Sequence, residues 1–165
     1  MEDFGKNQVR IELDHRADSS ACETVNGWLR EYNWNKNPKL MKVLNDPNAT
    51  VPLNLIARLG ETVVGGLLGF TQSKWLRIDV MSVDPTSRLC GIGTSLIREA
   101  ERIGISRGCE YSYVDTMEHQ APDFYLRCGY VVSAKIADWD SFGNSKLFFT
   151  RQLGSGYGGR SKDLA

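Results

Sequence analysis

Apolar and polar residues alternate through Val9-Arg10-Ile11-Glu12-Leu13-Asp14, the two-residue period of a half-buried strand. Asp18 and Ser19 follow as good N-caps, and the pattern predicts a helix running through Trp28, Leu29 and Tyr32. The Asn- and Lys-rich stretch 33–50 contains Pro38 and Pro47, and its apolar cluster Leu40, Met41, Val43 and Leu44 fits a short second helix. Three strand-like runs come next, Leu53 to Leu59, Thr62 to Thr71 and Trp75 to Val83. The short turns between them, Gly60-Glu61 and Gln72-Ser73-Lys74, predict an antiparallel meander.

After Pro85 the period changes. Ile92, Leu96, Ala100 and Ile103 form one helical stripe, while Arg98, Glu99, Glu101 and Arg102 are expected to face away from it. Gly108 is placed to end that helix. Tyr111 to Asp115 reads as a strand, Ala121 to Cys128 as a short helix with Pro122 in its first turn and Gly129 beyond its end. Tyr130 to Ala137 and Lys146 to Arg151 complete the set. This order predicts a mixed α/β (α+β) fold, a mostly antiparallel seven-stranded sheet flanked by helices.

A length of 165 residues suits a single domain, taken here as residues 1–153. The tail 154–165 is Gly- and Ser-rich and is expected to be disordered. With 41% hydrophobic and 24% charged residues the composition is that of a globular protein, which excludes a collagen or a coiled coil. Lys+Arg and Asp+Glu both number 20, so no global basic field points to nucleic acid. No apolar run approaches the ~20 residues of a membrane span, and the acidic N-terminus is not a secretory signal. Cys22, Cys90, Cys109 and Cys128 form no close pair and only His15 and His119 accompany them, so no metal site is expected. Free thiols in a reducing cytoplasm are the simpler reading.

The chemistry concentrates after Val83. A strand, a turn with Gly91 and Gly93, and a helix N-terminus make a natural anion site: first-turn N–H groups lack partners, and glycine lets backbone approach a phosphate. A P-loop would need lysine after Gly93, where Thr94-Ser95 stand, and the dinucleotide fingerprint would need glycine at Leu96. The longer string Val83-Asp84-Pro85-Thr86-Ser87-Arg88-Leu89-Cys90-Gly91-Ile92-Gly93-Thr94-Ser95-Leu96 instead resembles motif A of the GNAT superfamily of N-acetyltransferases, [R/Q]-x-x-G-x-[G/A] after a strand ending V-x-P. The block Ala121 to Tyr130 resembles the same family's motif B, A-x-x-x-Y-x-x-x-G-[F/Y], and the likeness runs from about Leu55 to Leu153. Three positions depart from the family pattern: Glu118 stands where Asn is common, and Leu89-Cys90 replaces a Gly or basic pair.

That resemblance implies a GNAT-like acyl-CoA N-acyltransferase fold, acetyl-CoA as co-substrate and a small-molecule or peptide amine as acceptor. It places the coenzyme against Met81, Ser82 and Val83 and against Arg88, Leu89, Cys90, Gly91, Ile92, Gly93 and Thr94. Tyr125 matches the family's general-acid tyrosine, although an aromatic pair Phe124-Tyr125 on a short helix also suits a core. For the base, Asp79, Asp115, His119 and a chain of waters all remain candidates. Asp79 also has Arg77 nearby as a pairing partner. The family generally transfers the acetyl group directly, so Cys90 and Cys128 are not expected to act as nucleophiles. Trp28, Tyr32 and Trp34 either border the acceptor pocket or cover the sheet. A non-catalytic acetyl-CoA-binding module and a nucleotide-phosphate binder are the rival classes, and a homodimer stays open.

Overall fold

The computed structural model describes residues 9–154, in two units that meet in sequence between Asp46 and Pro47. Within the first, α1 (Ser20–Lys36) starts at Ser19, whose hydroxyl accepts a hydrogen bond from the Cys22 amide at 3.2 Å. Asn37 both ends α1 and starts α2 (Pro38–Leu44), its side chain accepting from the Leu40 amide at 3.1 Å, with Pro38 in the first turn. The strand expected at Val9 to Asp14 is absent. Val9, Ile11 and Leu13 are all fully or largely exposed, so the alternation has no sheet edge to join and no apolar face to bury. The sheet therefore has six strands among the described residues, not seven. Apart from Gly154, the tail expected to be disordered lies outside the described residues.

The second unit is the sheet with two helices. Its elements are β1 (Thr50–Leu59), β2 (Thr62–Gln72), β3 (Trp75–Val83), α3 (Ile92–Ser106), β4 (Tyr111–Met117), α4 (Pro122–Arg127), β5 (Val131–Ile136) and β6 (Lys146–Gln152). Strand order is β1-β2-β3-β4-β6-β5. All neighbours are antiparallel except β3 and β4, which the α3 crossover joins in parallel. The core lies between α3 and the sheet: Leu53, Leu67, Leu76, Ile78, Val114 and Phe149 meet Ile97 and Ala100. Gly104 of α3 seats against Leu76, where a Cβ would lie 3.4 Å from its side chain.

The buried face of α3 is wider than the predicted stripe. Glu101, expected in solvent, is 5% exposed, because it falls one turn beyond buried Ile97 on the same side. Arg151 of β6 compensates the buried carboxylate at 3.0 Å and also hydrogen-bonds the Cys128 carbonyl, tying helix, sheet and the α4–β5 turn together. Burial still pushes the Glu101 carboxyl up, with the charge of Arg151 opposing it.

One irregularity shapes the region that follows. In the β2–β3 ladder, Gly69 pairs with Ile78 and Leu68 with Val80, so Asp79 is an extra, unpaired residue: a β-bulge. Before it, Leu76 and Ile78 face the helices; after it, Met81 and Val83 do, a spacing of three where a regular strand has two. Gly69 accommodates the bulge by lacking a side chain, since a Cβ there would sit 2.1 Å from the Arg77 carbonyl oxygen.

Candidate functional site

Parallel pairing of β3 with β4 runs only from Trp75–Tyr111 to Ile78–Val114. Both strands continue, β3 to Val83 and β4 to Met117, so they part just where Asp79 bulges. From Asp79 to Val83 the β3 backbone edge turned toward β4 has no strand partner. A cavity of about 890 Å³ fills the opening, floored by β3 and β4 and flanked by the turn before α3 and by α4. Every residue expected to bind the coenzyme or to act as acid or base lines this cavity except Cys90. The Cys90 side chain borders a separate recess of about 310 Å³ with Leu55, Ala57 and Leu96.

The turn is built by local capping. Asp84 accepts hydrogen bonds from the Thr86 amide at 3.0 Å and from its hydroxyl, setting a short 3-10 turn at Pro85–Ser87. Arg88 donates from Nε to the Val83 carbonyl at 3.2 Å, which ties the turn to the strand end. Leu89 and Gly91 both take left-handed backbone, at φ 62 and φ 78. Gly91 is the N-cap of α3, no side chain caps the helix, and the space a Gly91 Cβ would occupy is open. The α3 N-terminus therefore offers unpartnered amides and a positive dipole end to the cavity. Gly93 has a second duty: a Cβ there would stand 3.2 Å from the Phe124 ring, so its absence lets the ring pack against α3 without shifting.

Tyr125 sits on the opposite wall. Its ring is held edge-on to Phe124 at 5.3 Å and Tyr130 at 5.9 Å, and against Phe149 at 5.8 Å. Burial, with smaller contributions from Cys128 and Asp115, pushes its phenol up to about 12. The hydroxyl thus stays protonated and can donate. Burial also pushes up the Cys128 thiol, followed by the influence of Glu101, so it is no thiolate nucleophile.

The two aspartates differ. Asp79 shares one carboxylate oxygen with Arg77 Nε at 2.8 Å and is the more exposed of the pair. Asp115 has both oxygens occupied: Oδ1 by Arg77 Nη2 at 2.5 Å and by the Tyr113 hydroxyl at 3.2 Å, Oδ2 by Lys146 Nζ at 2.6 Å. Burial alone would raise its carboxyl, but hydrogen bonds from Lys146 and Arg77, with their charges, hold it below the ordinary carboxylate range. His119 lines the cavity from the turn after β4. There Gln120 accepts from Thr116 Oγ1 at 2.8 Å and from the Met117 amide at 2.9 Å, ending the strand. Sequence reasoning did not name Phe124, Thr116, Gln120 or Arg127 as cavity residues. Phe124 and Arg127 were within reach, either side of Tyr125 in a quoted motif; Thr116 and Gln120 carry no spacing signal. Trp28, Tyr32 and Trp34 lie on α1, in the other unit.

Among the described residues no three His, Cys, Asp or Glu side chains gather as a metal site, and no helix is long and apolar enough to cross a membrane. Residues 15–130 match the acetyltransferase (GNAT) family. Blasticidin-S acetyltransferase of Streptomyces morookaense is 44% identical over 78 residues, covering 47% of this chain and 57% of that protein. An acetyltransferase of Agrobacterium fabrum (strain C58) is 37% identical over 79 residues, covering 47% and 58%. The chain thus spans little more than half the length of these curated relatives. Among solved structures, an acetyltransferase from Bacillus cereus ATCC 14579 superposes with a TM-score of 0.66 at 28% identity, over 88% of this chain and 98% of the other. By its matched residues, its sheet and its motifs, this chain belongs to the acetyltransferase (GNAT) family.

Proposed function

We propose that the chain moves the acetyl group of acetyl-CoA directly to a primary amine of a small molecule or peptide. One observation carries the reading: the parting of β3 and β4 leaves an unpaired strand edge that leads to an uncapped helix N-terminus, with a protonated tyrosine facing it. An extended amide-bearing arm fits the open edge of β3 from Asp79 to Val83 as a further strand would. A pyrophosphate fits the turn from Arg88 to Thr94, where the open space at Gly91 admits it and the α3 amides face it. At about 890 Å³ the cavity is of the size that holds a cofactor-sized molecule.

Acetyl-CoA supplies an activated thioester; the chain's residues bind, orient and move protons. Tyr125 donates its phenolic proton to the departing sulfur, and a backbone amide near Met81 or Ser82 steadies the carbonyl oxygen as charge develops. Asp115 serves as a fixed charge, since both oxygens are spoken for and it holds no proton at neutral pH. The acceptor's proton passes to Asp79 or to water in the cavity. Blasticidin-S acetyltransferase, by its name, acts on a small molecule, which favours small amines over peptides as acceptors here.

The test is a thiol-release assay with acetyl-CoA against polyamines, aminoglycosides, amino acids, nucleoside-type antibiotics and peptides, with mass spectrometry of the product. Amine-dependent release and a product heavier by one acetyl group support the reading. Acetyl-CoA binding without release for any amine would make the chain a non-catalytic coenzyme-binding module.

A further inference from the structure

At the point where β3 and β4 part, one guanidinium touches both strands. Arg77 lies in the next-to-last paired step, opposite Tyr113, and its Cζ rests 4.0 Å from the centre of the Tyr113 ring. From that seat Nε reaches Asp79 on β3 at 2.8 Å and Nη2 reaches Asp115 on β4 at 2.5 Å. These two acids are the first residues beyond the last paired step, Ile78 with Val114. Lys146 completes the group from β6, on Asp115 and over the Trp139 ring at 4.8 Å, so two cations balance two carboxylates.

Two details separate this arrangement from an ordinary sheet ion pair. The third nitrogen, Nη1, is buried without a hydrogen-bond partner, a condition that costs stability and that natural cores avoid. A fold seeking only to join two strands would be better served by continued backbone pairing. In addition, Arg77 engages only Oδ1 of Asp79, and no described residue occupies the other oxygen, which belongs to a side chain lining the cavity.

The geometry points to Arg77 as a positioning residue: its fork, seated on Tyr113, ties Asp79 to Asp115 across the parting strands and so fixes the aim of the unoccupied Asp79 oxygen toward the acceptor ammonium. The Tyr113 ring sets the plane of the guanidinium, the fork sets the separation of the carboxylates, and Asp115 with Lys146 anchors the β4 end. Lysine could not replace it, since a single ammonium has no pair of fixed donor directions. This role rests on the acetyl-transfer reading for its acceptor, though the tie between strands does not.

Arg77→Met keeps the stem over Tyr113 and removes the fork; Arg77→Lys keeps the charge. For both, acetyl-CoA affinity by calorimetry should stay within about threefold of wild type, because the Arg88–Thr94 turn is untouched, while kcat/KM for the acceptor should fall about tenfold or more. Lysine should not restore it. Unchanged acceptor kinetics in folded Arg77→Met, wild-type kinetics in Arg77→Lys, or coenzyme affinity and acceptor kinetics falling together with the melting temperature would each overturn the positioning role. A double-mutant cycle in urea tests the tie without any activity: Arg77→Met with Asp79→Asn, and with Asp115→Asn, should each show coupling of about fivefold in the unfolding constant. Additive effects would overturn the tie. Coupling together with no acetyl transfer by the wild type would sustain the tie and sink the acetyl-transfer reading.

Discussion

Tyr125 is the residue on which the proposed chemistry turns. Its hydroxyl acts only as the thiolate forms, so Tyr125→Phe should lower kcat by about 10²–10⁴-fold with little change in the Michaelis constant for acetyl-CoA. The ring stays packed among Phe124, Tyr130 and Phe149, and the variant should fold. Wild-type turnover, measured where chemistry limits the rate, would make Tyr125 an ordinary aromatic of α4. Much of the cavity's lining was legible because motif spacing names it: Arg88, Leu89, Gly91 to Thr94 and Tyr125 follow from order along the chain. The different settings of Asp79 and Asp115 were not. Each sits beyond a strand pair that sequence shows only as two separate apolar runs, and Lys146, which saturates Asp115, arrives from a strand 31 positions later.

At the scale of elements, period and punctuation sufficed for most of the fold. Ser19, Gly108 and Gly129 sit at the helix ends expected of them, the two glycines at φ 85 and φ 86. What escaped was what depends on partners. The alternation at Val9 to Asp14 satisfies the strand period yet finds no edge, and the buried Glu101 has its carboxylate met by Arg151 from a strand 50 positions later. The bulge at Asp79 is likewise invisible in β3 alone; its trace is Gly69 on the neighbouring strand. Gly69→Ala should therefore cost about 1–3 kcal/mol in urea unfolding, since the obstacle is backbone, and should weaken acetyl-CoA binding by straightening β3. Gly93→Ala meets only the rim of a ring that can tilt, and should cost less. Equal stability of Gly69→Ala and wild type would show that the bulge is not held by the close approach.

Across the whole molecule, the shifted groups predict the pH range of stability. The Asp115 carboxyl lies below its ordinary value, so its contribution is present above the unfolded carboxylate pKa, ~4, and is lost as pH falls through the folded value. Tyr125 lies above its ordinary value, so its contribution is present below ~10 and is lost as pH rises toward about 12. Melting temperature should thus hold across neutral pH and fall at both ends, with the acid limb shallower in Asp115→Asn and the alkaline limb shallower in Tyr125→Phe. Limbs unchanged in both variants would assign them to other groups.

The gap between β3 and β4, closed by the turn at Gly91, is the proposed coenzyme site, and calorimetric titration of acetyl-CoA into the wild type and Gly91→Val tests it most directly. A valine there must adopt left-handed backbone at φ 78 and thrust its side chain into the open space before α3. The wild type should bind one acetyl-CoA per chain, in preference to ATP, and folded Gly91→Val should bind at least about tenfold more weakly. Equal affinity of the two proteins for acetyl-CoA, or a wild type that prefers ATP, would contradict that placement of the coenzyme.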